Sequence, residues 1–101
     1  MAKQIYHIGQ SHIHGLGIIS DCEFQSNQII DIGIYYLWII PMVTSHFGSY
    51  INHSYKPNSH LIYLKDKYYV VASIPIHKGE EISLDYRKAP WFIEGPKYGY
   101  K

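Results

Sequence analysis

The stretch Ile51-Asn52-His53-Ser54-Tyr55-Lys56-Pro57-Asn58 decides how the rest of the chain is read. Pro57 fixes its own φ and Asn58 tolerates a left-handed backbone, so a sharp turn is expected there. The triplet Asn52-His53-Ser54 has no such local cause. It directly follows residues 47–51, and three short polar side chains are costly to bury unless each finds a partner. A ligand or a crossing backbone segment would supply those partners. This stretch is therefore the candidate centre of the molecule.

Working outward, residues 34–43 form the longest apolar run, and residues 34–41, apolar on both faces, read as a buried strand or a strand plus turn. Residues 44–50 suit one helical turn entered at Thr44 or Ser45. On the other side, residues 60–64 and 68–74 are β-rich runs joined by Lys65-Asp66-Lys67, a hairpin signal. Residues 81–86 read as a short strand. Near the start, residues 4–8 suit a first strand and residues 9–14 a polar turn. Gly15-Leu16-Gly17 then lets the backbone bend and approach a ligand, before an extended course resumes at 18–20. Two segments share a spacing: Phe24-x-x-Asn27-x-x-Ile30 and Ile76-x-x-Gly79-x-x-Ile82. Each puts an apolar residue before a turn at Asn or Gly and a strand after it, which reads either as a quasi-repeat or as two chance β-turns.

A chain of 101 residues suits a single domain, with a core at about 4–92 and an aromatic tail at 89–101. The 47% hydrophobic and 17% charged content excludes disorder, and eleven tyrosines with many isoleucines favour β-structure. No helix of ordinary length is expected, so the fold class is mostly β. A net charge of +1 with scattered lysines argues against direct nucleic-acid binding. The single cysteine, Cys22, excludes an internal disulfide and a cysteine-rich zinc cluster. His12 and His14 lack acidic or cysteine partners, so no metal is expected. The longest apolar run is shorter than the ~20 residues needed to span a bilayer. The expectation is a soluble, intracellular protein without membrane contact.

Three segments in this order resemble the SET-domain protein lysine methyltransferases. They are Ser11-His12-Ile13-His14-Gly15-Leu16-Gly17-Ile18, then Phe47 to Ser54 with Pro57-Asn58, then residues 72–86 ending in Leu84-Asp85-Tyr86. The style is closest to the minimal stand-alone viral SET domain. The resemblance implies a β-clip fold with small sheets, in which the C-terminal segment threads, knot-like, through a loop near residues 52–54. It implies S-adenosylmethionine as cofactor and a protein lysine, with a histone tail as the default, as substrate. For a viral, histone-directed member the compartment would be a host nucleus.

By the same resemblance, the backbone of Gly15, Leu16 and Gly17 would hold the methionine end of the cofactor. Ser49, Asn52 and His53 would add contacts, His53 mainly through its backbone. Tyr86 would be the catalytic tyrosine, also touching the cofactor, and Tyr36 is preferred over Tyr35 and Tyr50 as a second catalytic tyrosine. Trp91 would cover the adenine, while Tyr50, Leu61, Leu84 and Phe92 would wall the lysine channel. Leu61 and Leu84 stand where some members carry aromatics that limit methylation, which implies di- or trimethylation. Each residue also has a plainer reading: Tyr86 and His53 as core, Asn52 as a turn residue bonding its own backbone. An arginine common before the Asn-His-Ser motif is replaced by Ser49 and Tyr50, and the insert between Asp31 and Ser45 is very short. These departures suit the alternative of an inactive SET-like module that binds a peptide or partner. So small a domain is also expected to pair as a homodimer.

Overall fold

Two four-stranded sheets carry the chain. The computed structural model describes residues 4–88. Its strands are β1 (Tyr6–Gln10), β2 (Leu16–Ser20), β3 (Ile29–Leu37), β4 (Ile40–Val43), β5 (Asn52–His53), β6 (Ser59–Leu64), β7 (Lys67–Ala72) and β8 (Glu81–Leu84). The first sheet has the order β1-β2-β8-β5 and the second β4-β3-β7-β6. The helical content described is two single 3-10 turns, Gly48–Tyr50 and Tyr86–Lys88. The mostly-β expectation holds. The threading expected of the C-terminal segment depends on residues beyond Lys88, which lie outside the described residues.

The spacing shared by the two turn segments is structural. Phe24 and Ile76 exchange both backbone hydrogen bonds with each other, 2.8 and 2.9 Å. Asn27 (φ 71°) and Gly79 (φ 92°) occupy the same left-handed position in the two turns. In the first turn the Gln28 side chain accepts from the Gln25 N–H, and in the second the Glu80 carboxyl accepts from the His77 N–H. The correspondence, at a constant offset of 52 residues, extends to the strands. Ile19 pairs with Glu81, and its counterpart Val71 pairs with Ile29. Each unit is a hairpin, a turn and a strand, and the strands are exchanged: β3 joins the hairpin of the second unit, β8 that of the first. Phe24, Ile30, Ile76 and Ile82, the apolar ends of both motifs, meet in one core with Ile18, Phe47, Ile51, Val70 and Leu84. Full burial of such a side chain contributes about 1.5–3 kcal/mol.

Elsewhere several local expectations shift. The first strand begins two residues late and runs to Gln10, because Gly9 stays in register with Gly17 and the polar turn is confined to residues 11–15. The β6–β7 turn uses Lys65 and Asp66, both at positive φ, the geometry that matches strand twist in a two-residue hairpin. The helical turn, Gly48–Tyr50, is entered at Phe47 and not at Thr44 or Ser45, and the Thr44 hydroxyl ahead of it accepts from the Gly48 N–H at 2.8 Å. Of the two readings of residues 34–41, the strand plus turn holds and the buried strand does not. Ile34 is buried, but the chain reverses at Trp38 (φ 59°), and Leu37, Trp38, Ile39 and Ile40 all face outward. Asn58 is not left-handed either. Its side chain instead works as a piece of strand, its Nδ2 donating to the Glu81 carbonyl (2.7 Å) and its Oδ1 accepting from the Ser83 N–H (2.9 Å).

The paired turns predict a difference between like substitutions. A Cβ added at Gly79 meets nothing within 4 Å, so Gly79→Ala is opposed by its backbone conformation alone. Urea unfolding should show a loss of about 1 kcal/mol for Gly79→Ala, whereas Asn27→Gly should be neutral within about 0.5 kcal/mol. Equal losses would mean that the turns are not equivalent.

Candidate functional site

The buried polar triplet obtains its partners from crossing segments. β5 lies parallel to β8, pairing Asn52 with Ser83 and His53 with Leu84. The Ser54 N–H donates to the Leu84 carbonyl at 2.8 Å. The Asn52 amide nitrogen faces four oxygens: Ser11 Oγ (3.0 Å), the His14 carbonyl (2.9 Å), the Leu16 carbonyl (3.0 Å) and Glu81 Oε2 (3.1 Å). Glu81 in turn accepts from the Ser11 hydroxyl and the His12 N–H. Ser11 Oγ takes the N–H groups of Ile13 and His14. One amide and one carboxyl group thus hold the whole loop of residues 11–16 against β8. Gly17 packs tightly against this network, where a Cβ would sit 2.5 Å from Glu81 Oε2. Asn52 is therefore not a turn residue serving its own backbone.

The other side of the same stretch receives Tyr86. Its N–H donates to His53 Nδ1 at 2.9 Å, and its hydroxyl donates to the Ile51 carbonyl. The His53 ring is fully buried, edge-on to Tyr55 (4.4 Å between centroids) and beside the Tyr86 ring (5.3 Å). Because Nδ1 accepts, the imidazole is neutral with its proton on Nε2. Burial pushes its pKa down. Asp85, 3.8 Å away, pulls it up, and Arg87 adds to the lowering. Asp85 is itself held at about 2, foremost by the Arg87 guanidinium, which grips it through Nε (2.9 Å) and Nη2 (2.6 Å). That guanidinium lies 4.6 Å over the Tyr55 ring. Tyr55, Asp85 and Arg87 thus frame the His53–Tyr86 pair.

Next to them opens a cleft of about 190 Å³ lined by Pro57, Ser59, His60, Leu61, Ser73, Leu84, Asp85 and Lys88. Leu61 and Leu84 meet in it. Gly15, Leu16 and Gly17 are brought to Asn52, and Asn52 and His53 to Tyr86. Ser49 is exposed on the turn before this stretch, its hydroxyl donating to the Ser45 carbonyl, and Tyr50 packs against the core edge. Tyr36 is not brought to Tyr86. It lies at the far end of the second sheet, lining a different cleft with Trp38, Ile39, Tyr63 and Asp66. The reason is the early chain reversal at Trp38, which turns Tyr36 into a hairpin-tip residue. Trp91 and Phe92 lie outside the described residues. Three participants escaped the sequence reading: Glu81, Asn58 as a backbone mimic, and His60, whose Nδ1 lies 2.6 Å from Ser73 Oγ. Only the polar character of Glu81, next to apolar Ile82 on a short strand, could have signalled the first. Among the described residues no three His, Cys, Asp or Glu side chains converge as a metal site, and no helix is long and apolar enough to cross a membrane.

The neutral His53 has a thermodynamic signature. A folded-state pKa below the ordinary value means that the unfolded chain binds the proton more readily, so stability falls as pH drops below about 6.5. Exposed His77, raised by Glu23, acts with the opposite sign: its contribution is present at low pH and lost as pH rises. Asp85 contributes no change in this range. In a His77→Gln background, urea unfolding between about pH 7.5 and 5.5 should therefore lose stability, by at most about 1.4 kcal/mol per pH unit for one proton. Adding His53→Gln should flatten that slope. A slope that survives the second substitution would place the titrating group elsewhere.

Comparison with known proteins bears on the same residues. No curated protein matches the chain. Among solved structures, the crystal structure of a candidate histone methyltransferase from Plasmodium falciparum is similar, with a TM-score of 0.66 and 23% identity. The similarity covers 90% of this chain and 99% of that one, and shows a shared fold. The SET domain family model matches residues 17–87, which include Gly17, Asn52, His53, Leu61, Leu84 and Tyr86. SET domains are in general protein lysine methyltransferases that use S-adenosylmethionine. With most of its length matched, and with the Asn-His-Ser stretch tied at once to the glycine loop and to Tyr86, this chain belongs to the SET-domain family.

Proposed function

We propose that the protein transfers a methyl group from S-adenosylmethionine to the side-chain amine of a protein lysine. The observation that carries this reading is the placement of Tyr86 and of the Gly15-Leu16-Gly17 loop on either side of Ile51-Asn52-His53. The residues present fit the cofactor. Exposed Gly15 and Leu16, with open space at Gly15 and with Gly17 buried behind them, stand beside the Asn52 side-chain amide, whose Oδ1 has no hydrogen-bond partner among the described residues. A carbonyl acceptor next to accessible backbone suits the amino-acid end of such a molecule. Gly15, Leu16, Gly17, Asn52 and the backbone of His53 would hold it, with Ser49 at the margin. When bound it supplies a methyl group on a sulfonium, whose transfer to nitrogen leaves a neutral thioether.

The chain's part is to present a neutral amine. A lysine ammonium has an ordinary pKa of about 10.4, and apolar walls such as Leu61 and Leu84 disfavour its charged form. The Tyr86 hydroxyl commits its proton to the Ile51 carbonyl, so toward an amine that oxygen can act only as an acceptor. An amine N–H donating to that oxygen is oriented with its own lone pair free for attack. In-line displacement asks little else of a protein beyond positioning. A histone tail is the substrate proposed for the first assay, and Leu84 suits addition of more than one methyl because it brings no hydroxyl to restrict rotation of a methylated amine.

Labelled methyl transfer to core histones and to a mixed lysate tests this. Wild type should label a protein band, and Tyr86→Phe should lose about 100-fold or more of that turnover, the scale of a positioned acid–base group. Cofactor affinity should stay within about twofold. Binding of S-adenosylmethionine without transfer to any protein would instead favour an inactive peptide-binding module. Mass spectra of the product should show di- or trimethyl-lysine for wild type and a shift to monomethyl-lysine for Leu84→Tyr, whose hydroxyl would restrict rotation of a methylated amine. Monomethyl product from the wild type at long times would remove Leu84 from that role.

A further inference from the structure

The cleft that holds Tyr36 plays no part in the transfer proposed above. It measures about 540 Å³ and is lined by Tyr36, Trp38, Ile39, Tyr63 and Asp66. A Cβ at Gly33 would meet the Val70 and Leu61 side chains, so the Leu61–Val70 pair faces the core. Tyr63 and Tyr68, paired two residues further along β6 and β7, point to the same side. Tyr68 is level with Ile34 of β3, and Tyr36 follows two residues on. The cleft therefore lies on the core side of the second sheet, at the end where the core has run out and Tyr63 is 54% exposed.

Two features of this end have no cause in the fold. Trp38 takes φ 59° in a two-residue turn, a conformation that suits Gly or Asn and opposes a bulky side chain. The indole is also 86% exposed, so burial does not compensate the strain. Strain of that kind is kept where it serves a function. In the facing turn, Asp66 accepts from the Tyr63 hydroxyl at 3.0 Å, which fixes a carboxylate beside an aromatic ring. Lys67 pairs with Tyr35 and Leu64 in the row that points to the opposite side, and Lys65 is not part of the lining. The cleft is thus aromatic with one negative charge.

We infer that this cleft binds the methylated ammonium group of a lysine side chain. The choice of lysine rests on the proposed reading of the activity, whose product it would be. The choice of a methylated cation rests on the lining itself. Aromatic faces attract cations, most of all those that give up their water easily. An unmodified lysine ammonium is compact and strongly hydrated, and its N–H groups ask for acceptors that rings do not offer. Methyl groups in their place keep the charge and present an apolar surface. Trp38 and Tyr63 then meet the methyl groups, and Asp66 supplies the counter-charge. A neutral apolar ligand would leave that carboxylate unused, and an unmodified lysine would leave the rings unused.

Titration of the full chain with Nε-trimethyl-lysine, blocked at both ends, tests the inference through the amide resonances of Lys65 and Asp66. Blocked unmodified lysine and choline serve as the other arms. Trimethyl-lysine should bind at least about 10-fold more tightly than lysine, the scale of two or three exposed cation–π contacts. Trp38→Gly should lose that preference while its urea midpoint is unchanged or raised, because glycine relieves the turn. Tyr63→Leu, which keeps the apolar bulk, should lose it as well. Equal binding of lysine and trimethyl-lysine, or a preference that survives Trp38→Gly, would overturn the inference. Choline binding about 10-fold tighter than trimethyl-lysine would overturn the assignment to lysine. The titration contains no S-adenosylmethionine and reads no turnover, so its failure and that of the proposed transfer are separate results.

Discussion

The Asn52 amide meeting the Glu81 carboxyl group is the constraint on which the candidate site depends. Neither group could be buried alone without a cost of about 1–3 kcal/mol. Together they satisfy each other, the Ser11 hydroxyl and the backbone of residues 12, 14 and 16. Such networks are stable when complete and costly when one member is missing. The network also bears on Gly17: a Cβ there would sit 2.5 Å from Glu81 Oε2, so any side chain would displace the carboxyl group from its partners. Removing Glu81 would therefore free the glycine loop before it disturbed Tyr86.

Glu81 reaches that position because β8 is donated across the molecule. Neither of the two related units closes on its own, since each needs the other's third strand. β8 completes the first sheet, and by doing so it delivers Tyr86, two residues past its end, to Ile51 and His53. Formation of the site is thus coupled to formation of the fold. Pairing strands so distant in sequence pays loop-closure entropy before it is rewarded, which makes the assembly slow for its size.

Much of this was legible in the sequence. The Phe24/Ile76 spacing announced the repeated turns, since Asn and Gly are the residues that accept a positive φ. The Asn-His-Ser triplet announced a crossing segment, because buried polar groups need partners. What was hidden depends on facts that residue types do not carry. Apolarity over residues 34–43 does not distinguish burial from an outward face, so Tyr36 was assigned to a channel it does not reach. Asn58 was read for its backbone tolerance, whereas its side chain imitates a strand. His60 lay in an ordinary β-run, and only the packing of β6 against β8 puts it into the cleft with Leu84.

The two units have diverged in opposite directions from one geometry. Glu81 and Ile29 are counterparts, each paired with the corresponding residue of a hairpin, Ile19 and Val71. In the first sheet that position carries a carboxyl group, and the polar loop of residues 11–16 covers it from within the chain. In the second it carries an exposed isoleucine, and the connection between β6 and β7 is a two-residue turn too short to cover anything. A long loop needs a polar anchor to order it, which the first unit has in Glu81 and Asn52. One unit thus covers that position with its own backbone and leaves Gly15 exposed beside it. The other leaves its isoleucine exposed at the corresponding position.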